Sequence, residues 1–135
     1  MNPEKIILEA KEKVSKLCEE RRFAEAIKVI DNALSISPCF VPLLIKKAHI
    51  IQLLNDEDAT YGTLELSKEL LEKAAMLDEF AVYPKIELAH FLYAVEDNSI
   101  DGLEKAEKAL NLCNEYINEC QELIAECIGE IKKET

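Results

Sequence analysis

Residues 23–38 read FAEAIKVIDNALSISP, and this stretch decides the fold of the chain. Its apolar residues return every three or four positions, a spacing that places them on one face of an α-helix. Two of them, Ala26 and Ala33, are small, and Pro38 then ends the helical pattern. Residues 10–17 show the same spacing just upstream. The two segments therefore predict a pair of helices joined by a short turn.

The small residues of this stretch recur further along the chain. Three sites are filled by small side chains in three successive copies: Val14, Ala48 and Ala89 at the first site, Ala26, Ser67 and Gly102 at the second, and Ala33, Ala74 and Ala109 at the third. Helices that cross tightly need small side chains where their axes come nearest. An alanine-rich composition alone does not keep three sites in register, so the pattern predicts three helix hairpins of one design.

This spacing resembles the tetratricopeptide repeat, a two-helix unit of about 34 residues. The resemblance covers residues 7–114, with repeats near 7–40, 41–81 and 82–114. The first copy departs from the family pattern at four places: Ala10, Lys13-Val14, Leu17 and Ile30. The resemblance implies an all-α fold, a right-handed α-α superhelix of three hairpins, within a single domain over residues 1–135.

Seven helices are expected, near residues 3–20, 23–36, 41–54, 62–78, 81–95, 100–112 and 115–133. Asn2-Pro3 is a favourable start for the first helix, and Ser99 is the expected cap of the sixth. The seventh has apolar residues spaced three and four apart, with glutamates on its other side. A stack of repeats needs a last helix with one polar face. This segment is therefore expected to cap the stack, with its apolar stripe buried.

The charge of the chain narrows the range of partners. The net charge is −11, and it is uneven. Residues 1–49 hold nine Lys/Arg and seven Asp/Glu, whereas residues 50–131 hold five and nineteen. Such a chain repels nucleic acid and anionic lipid at long range. We therefore expect no nucleic-acid or membrane partner, and a basic protein partner if charge guides recognition.

Five cysteines are present, an odd number with no C-x-x-C pair. This argues against a disulfide framework or a zinc knuckle and favours reduced thiols. The first residues show no secretory signal, and the longest apolar stretches fall well short of the roughly 20 residues of a membrane span. A cytoplasmic location is expected.

The resemblance also implies a site. In the tetratricopeptide family the first helix of each repeat lines a concave surface that binds peptides. The family's groove positions correspond here to Lys11, Ser15, Ile45, Lys46, His49, Leu53, Tyr83, Ile86, Glu87, His90 and Tyr93. The second and third repeats would present a mostly apolar surface, a usual mark of a partner site. Two alternatives stay open: the seventh helix fills the groove, or a second copy does.

One subset of the family holds the C-terminal carboxylates of heat-shock chaperones with Lys, Asn and Arg side chains. The corresponding positions here are Lys11, Ser15, Lys46, Tyr83 and Glu87, and only Lys11 matches. Glu87 would repel a carboxylate where the clamp needs an arginine. No binding of such tails is therefore expected.

Metal and cysteine chemistry is weakly indicated. His49 and His90 occupy equivalent repeat positions, and with Glu87 they would be candidate ligands, but no spacing typical of a metal site accompanies them. The acidic run at residues 56–58 lacks the further oxygen ligands of a calcium loop. Three cysteines recur every seven residues on one helix face, which favours core packing or, alternatively, a dimer seam: Cys113, Cys120 and Cys127.

Three functions can be weighed. The first is a non-catalytic module, an adaptor or scaffold, that binds a peptide or helix of another protein and needs no cofactor, as a monomer or homodimer. The second is a dedicated chaperone for one client. Small acidic proteins of three such repeats resemble bacterial secretion chaperones and escorts of basic ribosomal proteins, and the acidic second half of the chain would suit a basic client. The third is an enzyme that uses His49, His90 or a cysteine, for which no catalytic constellation is visible.

Overall fold

The computed structural model describes residues 2–54 and 60–135. This part of the chain holds no strand and six α-helices: α1 Pro3–Glu19, α2 Phe23–Ile36, α3 Val41–Leu54, α4 Leu64–Leu77, α5 Tyr83–Ala94 and α6 Ser99–Glu134. The all-α prediction is confirmed, and the first five helices begin and end within two residues of their predicted bounds. The predicted acidic loop at residues 55–58 lies outside the described residues.

Side-chain caps explain where three of the helices begin. The Asn2 side chain accepts a hydrogen bond from the Glu4 amide at 2.9 Å, with Pro3 in the first turn. Thr63 caps α4 in the same way. At α6 the cap is Asn98, whose Oδ1 accepts from the Asp101 amide at 3.1 Å. The predicted cap of that helix was wrong by one residue, because the longer Asn98 side chain reaches the amide and Ser99 is already helical.

The prediction of a seventh helix is also wrong. Residues 115–133 belong to α6, which runs without a break for 36 residues, about 54 Å at 1.5 Å per residue. The physical reason is the absence of a breaker in the sequence, since no glycine or proline lies between Gly102 and Gly129. Cys113 and Asn114, where the turn was expected, are poorer helix formers, but Leu112 and Glu115 on either side of them are strong ones.

The chain divides into two compact units, Met1–Glu79 and Phe80–Thr135. In the first unit α1 pairs with α2, α3 pairs with α4, and α2 also packs on α3. Its core includes large aliphatic side chains from three helices: Val14, Ile27, Ile30, Leu43, Ile50 and Ile51. In the second unit α5 and α6 form one hairpin, with Leu88, Phe91 and Leu92 buried.

The recurring small residues lie where paired helices meet. All nine are buried. Between α3 and α4, the Ser67 hydroxyl donates a hydrogen bond to the Ala48 carbonyl oxygen at 2.9 Å. It also accepts one from the side-chain Nε2 of Gln52 at 2.9 Å. Between α5 and α6, a Cβ added at Gly102 would lie 3.2 Å from the Tyr93 Cβ. The small residues therefore allow a close approach of α3 to α4 and of α5 to α6.

Enlarging one of these residues should separate its helix pair. Ala109 is 2% exposed, so Ala109→Leu should lower the free energy of unfolding by about 1–3 kcal/mol through overpacking. The control is Ala125→Leu, the same change on the same helix at an exposed position, which should stay within about 0.5 kcal/mol of the parent. Urea denaturation followed by circular dichroism measures both. Equal losses from the two variants would contradict the close approach at Ala109.

Candidate functional site

An apolar groove of about 630 Å³ lies between α5 and α6 in the second unit. This volume is within the range of about 300–1,000 Å³ usual for ligand pockets. Its lining residues come from both helices: Ile86, Ala89, His90 and Tyr93 on α5, and Ser99, Gly102, Leu103, Ala106, Ala109, Leu110 and Cys113 on α6. Apart from the Cys113 thiol, the polar side chains among these lining residues are those of His90, Ser99 and Tyr93. Desolvation of an apolar occupant is therefore the main source of affinity that the groove offers.

Helical spacing and side-chain size explain this groove. The lining residues of each helix recur at intervals of three and four, so they share one face of the hairpin. Gly102 and Ala109 are buried in the hairpin and, with Ala106, are shorter than the larger lining side chains around them. Leu103 and Leu110 remain more than half exposed. The small residues that allow α5 and α6 to approach thus also leave room for a guest.

The apolar face of α6 continues far beyond the groove. The Tyr116 hydroxyl donates a hydrogen bond to the Phe80 carbonyl oxygen at 2.6 Å, and every residue from 117 to 135 is exposed. The exposed side chains include five large aliphatic ones: Ile117, Leu123, Ile124, Ile128 and Ile131. The predicted burial of this stripe is therefore wrong, because the unbroken helix carries it straight past the hairpin. Such a stripe usually marks an interaction surface.

The predicted groove residues of the second unit are partly brought together. Ile86, His90 and Tyr93 line the α5–α6 groove, and Tyr93 is 64% exposed. Tyr83 is exposed and Glu87 half-buried, and both lie on α5 outside the groove lining. The α6 side of the groove was missed by sequence reasoning. The sequence signal for this side was that Leu103 and Leu110 are seven residues apart, the same spacing as that of the three α6 cysteines.

The predicted groove residues of the first unit lie on α1 and α3. Lys11 and Ser15 are exposed on α1, while Lys46, His49 and Leu53 are half-buried or exposed on α3. Ile45 is only 3% exposed. The prediction that Ile45 contributes to the apolar binding surface is therefore wrong, because its side chain is buried in the interior and presents no surface to a guest.

Tyr83, at the start of α5, has a perturbed ionisation. Partial burial raises the pKa of its phenol first, and the negative charge of Glu87 raises it further, with a hydrogen bond from the hydroxyl to that carboxylate. Both effects disfavour the tyrosinate, because its charge would be poorly solvated and repelled. Tyr83 is therefore a neutral hydrogen-bond donor at neutral pH.

Neither a metal site nor a membrane span emerges from the described residues. Within residues 2–54 and 60–135 no group of three His, Cys, Asp or Glu side chains is placed to hold a metal ion. None of the described helices is both long and apolar enough to cross a bilayer. Core packing of the three α6 cysteines is not observed, since Cys113 is half-buried and Cys120 and Cys127 are exposed.

Comparison with known proteins adds no assignment: no family model matches the chain, and no curated protein matches it either.

The Tyr83 assignment has a measurable consequence. Glu87→Gln should lower the pKa of Tyr83, because it removes the neighbouring negative charge. The pKa should remain above the ordinary value of about 10, because burial persists. Tyrosinate absorbance during an alkaline titration, taken as the difference from the matching Tyr83→Phe protein, reports this group alone. Glu130→Gln on the exposed end of α6 is the charge-matched control, and an equal shift in that variant would contradict the local Tyr83–Glu87 interaction.

Proposed function

We propose that this chain is a non-catalytic protein–protein interaction module of the tetratricopeptide type, with its three hairpins arranged as a right-handed superhelix. Its ligand is a helix or peptide of a partner chain. The observation that carries the proposal is the apolar groove between α5 and α6, whose lining includes Ile86, His90 and Tyr93. Three predicted binding positions and seven α6 residues meet on that one face.

The dimensions of the groove suit a helix. Its α6 wall runs from Ser99 to Cys113, about 21 Å along the axis at 1.5 Å per residue. That length matches about four turns of a bound helix, which would present apolar anchors at intervals of three and four. The scarcity of polar groups in the lining favours such anchors over an extended backbone, because backbone groups of a strand would find few hydrogen-bond partners there.

A dedicated chaperone for a single basic client is the second candidate function. Charge favours it, since residues 80–135 carry twelve Asp/Glu and five Lys/Arg around the apolar groove. An acidic surface speeds encounter with a basic chain and weakens with added salt. Either function is that of a binding protein in the cytoplasm, a compartment that keeps cysteine thiols such as these five reduced. Co-expression separates the two, because a chaperone keeps an otherwise insoluble client in solution.

Removing the two exposed tyrosines of α5, of which Tyr93 lines the groove, should abolish partner capture. Tyr83→Ala/Tyr93→Ala deletes two exposed side chains, so the fold should survive while the apolar contact is lost. Ile100→Ala is the control, since Ile100 is 81% exposed on α6 and does not line the groove. Affinity capture with quantitative mass spectrometry should recover the same partner with the parent and the control but not with the double variant. Equal recovery of every protein by all three would overturn the proposal.

A further inference from the structure

We infer that the helix bound in the α5–α6 groove is residues 117–131 of a second copy of this chain, in a symmetric antiparallel dimer. The inference rests on the proposed function of the groove as a helix-binding site and names its occupant. Each copy would then supply the capping helix of the other.

The first support is a seam of seven-residue period along α6. Large aliphatic residues recur every seven positions: Leu103, Leu110, Ile117, Ile124 and Ile131. Small residues recur with the same period, three positions later: Ala106, Cys113, Cys120 and Cys127. Alternating steps of three and four are the pattern by which two helices pack along a common seam. The first four seam residues line the groove, and the remaining five are exposed on the same face of α6, so one surface continues into the other.

The second support is side-chain volume. In an antiparallel pair each large position faces a small one of the other copy: Leu103 opposite Cys127, Ala106 opposite Ile124, Leu110 opposite Cys120, and Cys113 opposite Ile117. Every layer then has nearly the same volume, as close packing requires. A parallel pair would instead stack large on large and small on small, leaving alternate layers too wide and too thin. The sequence therefore selects the antiparallel arrangement.

The same helix cannot serve its own groove while α6 is intact. Residues 117–131 lie about 6–27 Å beyond Cys113 along the axis at 1.5 Å per residue, past the end of the groove. Folding them back would require a break in α6, yet no glycine or proline lies between Gly102 and Gly129. A second copy reaches the groove with both helices unbroken.

The charges of α6 are arranged to permit this contact. Glu115, Glu119, Glu122 and Glu126 lie away from the seam, and no seam or flanking position from 109 to 128 is charged. Each copy nevertheless brings an excess of seven negative charges in residues 80–135. Added salt should therefore strengthen the dimer by screening repulsion, whereas it would weaken a complex with a basic client.

The contact approaches the size of a standard protein–protein interface. The nine seam residues, four flanking α6 residues and four α5 groove residues give seventeen contact positions per copy. A standard interface of about 1,600 Å² uses roughly 20–30 residues a side. Polar residues at the edges of the seam, such as Asn114 and Gln121, extend the contact toward that size.

Oligomeric state tests the inference directly. Size-exclusion chromatography with light scattering should give the parent twice its monomer mass of 15.3 kDa. Ile124→Glu should give a monomer, with a dissociation constant raised roughly 100-fold or more, because symmetry buries two carboxylates. Ile124 is 57% exposed within one copy, so the fold should survive, and circular dichroism checks it. Asn118→Glu is the matched control, with the same charge added off the seam, and should remain a dimer.

Disulfide trapping tests the register. In a protein whose other four cysteines are changed to alanine, Cys113 faces Ile117 of the second copy. Ile117→Cys should therefore give a covalent dimer on oxidation, while Asn118→Cys should not. Cross-linking through Cys113 alone, without Ile117→Cys, would indicate a parallel pair and overturn the inference.

One further result would overturn the inference, and the capture experiment with the Tyr83→Ala/Tyr93→Ala variant would then decide the proposed function separately. A parent that stays at monomer mass up to about 100 µM, well above a micromolar dissociation constant, has no second copy in its groove. If its Tyr83→Ala/Tyr93→Ala variant still loses a captured protein, the groove binds another partner. If that variant loses nothing, the groove function fails as well.

Discussion

The whole structure depends on how closely its paired helices approach. Between α3 and α4 the approach is close enough for the Ser67 hydroxyl to reach the Ala48 backbone carbonyl across the pair. Between α5 and α6 it leaves no room for a Cβ at Gly102 without displacement of Tyr93. Contacts of this kind demand a small residue where the two helix axes come nearest.

The same constraint leads to the candidate site. Small side chains allow α5 and α6 to meet, and on the adjoining face of the hairpin they leave a groove between larger apolar neighbours such as Leu103 and Tyr93. In a longer stack a following helix would fill that face. Here the next segment continues α6 instead, so both the groove and the stripe that would have covered it stay open. An unfilled face and a matching unpaired helix on one chain are what make self-association a physical expectation.

Much of this could be read from residue spacing. The five shorter helices follow from the apolar period and from start signals such as Asn2-Pro3, because local propensity and periodicity act over a few residues. On the α5 side of the groove, Ile86, His90 and Tyr93 were found in the same way. The failures at Ile45 and along α6 have a different origin. Helical spacing shows which residues share a face, but burial depends on which neighbours cover that face, and those neighbours are distant in sequence.

By itself, the sequence determined that the chain forms helices, which residues allow those helices to pair, and that its second half is acidic. Only the tertiary structure decided that residues 115–133 extend α6 rather than fold back as a cap, and that the α6 stripe is exposed beyond Tyr116. The reason is that a turn needs either a local breaker or a stronger contact elsewhere. The sequence between Gly102 and Gly129 supplies no breaker, and only the folded structure shows that no contact elsewhere in the described residues turns the helix back.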